Sequence, residues 1–195
     1  MRKGNILPTG LILFGILLGG ATTTRALYYA PQEEMPVSPG VSFVDGNSVP
    51  KHLSIPQINL EAEIEPVGIT KKGNMSTPKK IYDTGWYKYG PKPGSAGSAV
   101  IDGHVDNGFG TAGVFANLKN LRAGDDIYVL NEQDERQHFK IYKIESYNYK
   151  NVPLDEIFNR KDGNYLNLIT CDGDWIPDEQ TSERRIVVYS KIVRD

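Results

Sequence analysis

From about residue 50 onward the chain consists of short apolar runs, several alternating with polar positions, that stop at turn residues. A period of two puts successive side chains on opposite faces of an extended backbone, so these runs predict β-strands. They fall at residues 53–60, 97–102, 126–130, 138–144, 165–170 and 185–192. Pro56 lies inside the first, which marks it as an edge strand, because an edge need not donate every N–H. The polar stretch 131–136 predicts a hairpin between the strand ending at Leu130 and the one starting at His138. Two segments, 113–118 and 154–158, fit helical turns, and neither is long enough to dominate. Many short strands with little helix predict an all-β fold, barrel or sandwich, without internal repeats.

The pattern changes before residue 50. Arg2 and Lys3 precede an uncharged, mostly apolar stretch over 6–21. That is an export signal, shorter than the ~20 residues of a full membrane span, so a cleaved signal peptide competes with a signal anchor over 1–28. The anchor is the preferred reading. It keeps the two cations on the cytoplasmic side and puts everything after Arg25 outside, on a single-pass membrane protein. Residues 29–50, rich in Pro, Gly, Ser and acids, read as an extracytoplasmic linker, and 51–195 as one catalytic or binding domain.

Composition narrows the chemistry. The net charge of −2, with both signs interspersed, lacks the electrostatic footprint of a nucleic-acid binder. One cysteine and three scattered histidines do not supply a zinc site. The acidic residues around Asp102, Asp106, Asp172 and Asp174 lack the spacing of a calcium loop, and neither phosphate-binding nor dinucleotide-binding glycine motifs occur. No cofactor and no resident metal are expected.

The single cysteine, Cys171, follows the apolar run 165–170 and precedes an acidic, glycine-containing turn. A thiolate nucleophile needs a base or cation that is usually remote in sequence. His52 and His138 sit among exposed-looking polar residues, whereas His104 comes just past an apolar strand on a glycine-flanked loop. Arg184 and Arg185 lead into the last strand, and a guanidinium supplies fixed donors for a developing oxyanion. Taken singly, each has a plainer explanation: a small buried thiol, a turn histidine, a solvated strand start.

Jointly they match a known pattern. Leu168-Ile169-Thr170-Cys171 matches the L-x-T-C motif of sortases, Gly103-His104-Val105-Asp106 resembles their histidine segment, and Arg185 heads the final strand as their arginine does. With Ile55-Pro56-x-Ile58 and Thr84-Gly85-Trp86-Tyr87, the chain is most similar to class F sortases. The resemblance implies a closed eight-stranded β-barrel with short helices in its loops. It also implies an extracytoplasmic cysteine transpeptidase of a Gram-positive-type bacterium. Such an enzyme cuts an LPXTG-like sorting motif of secreted proteins between Thr and Gly, and passes the acyl group to an amine of a peptidoglycan precursor or a pilin. By the same resemblance Cys171 is the nucleophile, His104 the acid and base, Arg185 rather than Arg184 the oxyanion donor, and Leu168 and Thr170 are substrate-binding residues that shape the groove. Residues 172–184 depart from the pattern, being acidic and carrying Trp175 where many class F relatives are glycine-rich. The rival is a non-catalytic extracytoplasmic barrel that binds wall polymer through its aromatic residues; a hydrolytic cysteine peptidase is a third reading.

Overall fold

Leu53, Ile55, Leu60, Ala62 and Ile64 are buried while Ser54 is only partly buried and Glu61 and Glu63 face solvent between them, and this two-residue period builds one wall of a barrel. The computed structural model describes residues 35–37 and 49–194. Its eight barrel strands are β1 (Pro50–Ile55), β2 (Leu60–Val67), β3 (Thr84–Tyr87), β4 (Gly97–Gly103), β5 (Asp126–Asn131), β6 (Arg136–Asn148), β7 (Asn164–Ile176) and β8 (Thr181–Ile192). Around the barrel they run β8-β6-β5-β1-β2-β3-β4-β7, and β7 closes on β8. Two neighbouring pairs, β2–β3 and β4–β7, are parallel. The predicted closed barrel is the observed one. Most of the 1–28 leader and the 29–50 linker lie outside the described residues. Among those described, no helix is long and apolar enough to cross a membrane.

The single strand predicted over 53–60 is two strands. Pro56, with its fixed φ and no N–H, opens a short 3₁₀ turn at Pro56–Ile58, and Asn59 closes it in the left-handed region at φ 51°. The chain therefore reverses and β2 pairs back antiparallel on β1. The predicted hairpin between Leu130 and His138 forms as β5 and β6.

Two apolar layers result. Leu53, Ile101, Phe139, Leu168 and Val188 belong to the barrel interior, whereas Val100, Ile169, Val187 and Tyr189 form a second cluster on the outer face. A short helix, α1 (Leu154–Phe158), covers that outer face with Ile157 and Phe158, and Asn167 Nδ2 donates to its Ile157 carbonyl at 2.6 Å. Every residue of β4 is buried as a result. A strand covered on both sides reads as a continuous apolar run, which is why 97–102 lacked clean alternation.

Asp102 is the exception in that strand. Its carboxyl is buried, its Oδ1 has no hydrogen-bond partner, and burial, aided by the charge of Glu65, pushes its pKa well above the ordinary value. It packs so close to Gly85 that a Cβ there would lie 2.4 Å from Oδ1. A raised folded-state pKa means that the folded protein keeps a proton which the unfolded chain releases above the ordinary aspartate value of 3.8. Stability from this group is full at acid pH and declines as pH rises above that value. Asp102→Asn is expected to raise the thermal midpoint at pH 7–8 by a few degrees and to flatten that decline, as read by melting curves across pH.

The loop leaving β4 is braced by its own backbone. Phe115 N donates to the His104 carbonyl at 2.9 Å and Gly113 N to the Val105 carbonyl at 2.8 Å. Contact at Gly113 is so close that a Cβ would lie 2.3 Å from the His104 oxygen. Gly113→Ala is therefore expected to cost about 1–3 kcal/mol in overpacking, seen as a lower melting temperature, and to displace His104.

Candidate active site

Cys171 lies inside β7 rather than after its end. The strand runs on to Ile176 because β7 and β8 extend together as a hairpin. Gly173, at φ 74°, sits by the register shift between Ser182 and Arg184, and a Cβ on it would meet Glu183 at 2.5 Å. The glycine lets the hairpin bend there.

His104 reaches Cys171 through the parallel pairing of β4 with β7. Asp102 is level with Ile169, so two residues further on the histidine comes level with the cysteine. Thr170 Oγ1 donates to the Gly103 carbonyl at 2.8 Å and stitches the strands together at that point. His104 Nε2 lies 2.8 Å from the Pro78 carbonyl. A carbonyl only accepts, so Nε2 carries a proton and Nδ1 is the nitrogen at which a proton can be exchanged.

On the other side Arg185 is the direct antiparallel partner of Cys171. Paired residues project from the same face of a sheet, and here that is the outer one, shared with Ile169 and Val187. Arg184 pairs with Asp172 on the opposite face, donating to Ser146 Oγ at 2.8 Å and to the Ser146 carbonyl at 2.7 Å. Strand alternation thus separates the two arginines.

Cys171 (8% exposed) and His104 (7%) share one cleft of about 660 Å³, walled by Phe109 and Trp175 and bordered by Asp106 and Asp174. Arg185 (2% exposed) lines an adjoining hollow of about 300 Å³ instead. Its Nη1 donates to the carbonyls of Ser182 and Arg184 at 2.9 and 2.8 Å, and its Nη2 to Thr181 Oγ1. The backbone sets arginine beside cysteine, while the guanidinium is turned toward the start of its own strand.

Leu168 and Thr170, expected to shape the substrate groove, lie behind it. Leu168 is fully buried in the barrel interior and Thr170 is buried with its hydroxyl bound to Gly103. Alternation along β7 turns both away from the outer face that carries Cys171, so they support the site from behind. His52 and His138, expected at the surface, bond Glu61 and Asp126 respectively. The Phe109 wall, 82% exposed, and the Pro78 anchor were not singled out from sequence. Phe109, an aromatic residue in the glycine-rich loop just past His104, was the one available signal; a carbonyl partner 26 residues away has none.

Comparison with known proteins follows the same outline. The Sortase domain matches residues 53–193. No curated protein matches. Among solved structures, sortase A from Corynebacterium diphtheriae aligns with a TM-score of 0.58 at 20% identity, over 77% of this chain and 63% of that one. Sortase C1 of GBS pilus island 1 aligns with a TM-score of 0.56 at 21% identity, over 74% and 65%. Sortase C from Clostridium perfringens aligns with a TM-score of 0.53 at 18% identity, over 77% and 72%. The chain thus spans less than two thirds of the first two, and at these identities the likeness speaks to the barrel alone. The domain match, running from β1 to the end of β8 across both strands that flank the cysteine, is what assigns the chain to the sortase family.

Proposed function

We propose that this sortase is a cysteine transpeptidase of class F type, acting outside the cell on an LPXTG-like sorting motif and held to the membrane by residues 1–28. The observation that carries the catalytic reading is the shared cleft of Cys171 and His104, with Arg185 as the cross-strand neighbour of the cysteine. The class F reading is supported by Thr84-Gly85-Trp86-Tyr87, which forms the wholly buried β3, and by the Gly-His-Val-Asp segment that leaves β4.

The steps follow from the groups present. Cys171 Sγ, as thiolate, attacks the threonine carbonyl carbon, and the carbonyl electron pair moves onto oxygen. Arg185, after rotating from Thr181 and the neighbouring carbonyls, donates N–H groups to that oxyanion. His104 gives a proton to the departing glycine amine, the C–N bond breaks and a thioester remains on Cys171. An incoming amine of a wall precursor or a pilin then loses a proton to His104 and attacks the thioester. A new amide forms and the thiolate returns. If water resolves the thioester, the product is a hydrolysed peptide.

The exposed aromatics Phe109 and Trp175 favour the rival reading of a polymer-binding module, yet they wall the same cleft as the cysteine. Mass spectrometry after mixing with an LPXTG peptide separates the two. The enzyme gives an acyl adduct on Cys171, whereas an unmodified protein sinks the proposal. Cys171→Ala is expected to abolish adduct and cleavage, and His104→Ala to reduce turnover by about 10²–10⁴. Arg185→Ala is expected to lower kcat by about 10²–10³ without rescue by lysine, which lacks the planar fork. Ligated product on adding an amine distinguishes transfer from hydrolysis.

A further inference from the structure

His104 and Glu65 are joined by one peptide group. His104 Nε2 lies 2.8 Å from the Pro78 carbonyl, and the next amide, Lys79 N, donates to Glu65 Oε1 at 2.8 Å. The Pro78 C=O and the Lys79 N–H belong to the same planar unit, and because it is trans they point in opposite directions. An imidazole therefore sits at one end of a single amide and a carboxylate at the other.

The sheet holds this unit in place. Glu65, Gly85 and Asp102 are level with one another across β2, β3 and β4, and residues level in a sheet share a face. Gly85, in the middle, lets the crosspiece Thr77–Pro78–Lys79 lie close against that face. A Cβ there would meet Pro78 Cδ at 3.1 Å and Asp102 Oδ1 at 2.4 Å. Thr77 and Pro78 are buried, while Glu65 is only partly so. Of the two carboxyls in the row, Asp102 is held toward its neutral form by burial and by the charge of Glu65. The row carries its negative charge at Glu65, against the amide.

We infer that Glu65 is a positioning residue for His104, acting through the Pro78–Lys79 peptide group. This rests on the sortase reading and deepens it by naming what orients and supports the acid and base of the reaction. A charge-assisted bond at the N–H polarises the amide and makes its carbonyl oxygen a stronger acceptor, and hydrogen bonds in series reinforce one another. The carbonyl fixes the Nε2–H tautomer. When Nδ1 takes a proton from the incoming amine, the positive ring is stabilised through Nε2. A carboxylate bonded directly to the histidine has this role in hydrolase triads, whereas a backbone amide stands between the two groups in this barrel. Glu65 reaches solvent, which screens its charge and keeps the effect moderate.

The test uses the full chain in three variants. Glu65→Gln keeps an acceptor for Lys79 N and removes the charge, and Glu65→Ala removes both. Glu63→Gln is the control, taking the same charge from an exposed position two residues earlier on β2. Glu65→Gln, nearly isosteric, carries the test where melting curves show that Glu65→Ala does not fold. With an LPXTG peptide, kcat is expected to fall about threefold in Glu65→Gln and about tenfold in Glu65→Ala, with KM unchanged and the control at the wild-type rate. Ring ¹⁵N NMR gives a second readout that needs no turnover. Cys171, Asp172 and Asp174 on β7, together with Asp106 and Lys119, line the cleft before the imidazole. Asp102 lies on its own strand and Arg185 beyond Cys171, and all of these groups are kept in the three variants. His104 is expected to titrate at lower pH in Glu65→Gln than in the wild type, with His138, bonded to Asp126, as the unmoved reference. It is expected to lose its Nε2–H preference in Glu65→Ala. Glu65 variants that match Glu63→Gln in either readout overturn the relay alone. A wild type that neither turns over the peptide nor forms the Cys171 adduct overturns the sortase reading, and the spectra then decide the relay by themselves.

Discussion

Strand β7 holds the chemistry together because it is hydrogen-bonded on both sides. Parallel β4 delivers His104 from one edge and antiparallel β8 delivers Arg185 from the other, so Cys171 occupies the middle of a three-strand platform. The three residues are separated by 67 and 14 positions in the chain. Only closure of the barrel through this strand brings them level. The Thr170 hydroxyl on the Gly103 carbonyl ties the platform just before both reactive side chains. A site mounted on paired strands is held more tightly than one mounted on loops, and here the supporting contacts come from the buried side of the same strand.

That arrangement divides labour by face. Even-numbered residues of β7, Leu166 and Leu168, fill the barrel, while Ile169 and Cys171 face outward. The outer face is itself partly apolar and roofed by α1, so the cysteine lies in a sheltered trough rather than on an open surface. Shelter has an electrostatic cost, visible at Asp102, whose buried carboxyl is held toward its neutral form two residues before the histidine. Both reactive side chains are more than nine-tenths buried, and their access runs through a cleft with exposed aromatic walls, Phe109 and Trp175.

Arg185 and Pro36, which lies upstream of the barrel, meet at the neighbouring hollow. Arg185 is held there by Thr181 and two carbonyls, and Pro36 lines the same space.

Local pattern carried much of this into view. Short apolar runs bounded by turn residues located six of the eight strands, and the L-I-T-C and G-H-V-D segments marked cysteine and histidine. β2 was missed because Pro56 and Asn59 make a reversal that a window of alternating residues reads as one strand. β3, four residues long and buried throughout, has no alternation to detect. Parity between strands was equally out of reach. Whether Arg184 or Arg185 shares a face with Cys171 depends on the β7–β8 register and on the shift beside Ser182, and register is a property of two strands together. The same holds for the Pro78 carbonyl that sets the histidine tautomer and for Leu168 and Thr170 turning inward. Residue type and local period are written along one strand, whereas facing, anchoring and closure arise only when distant strands pair.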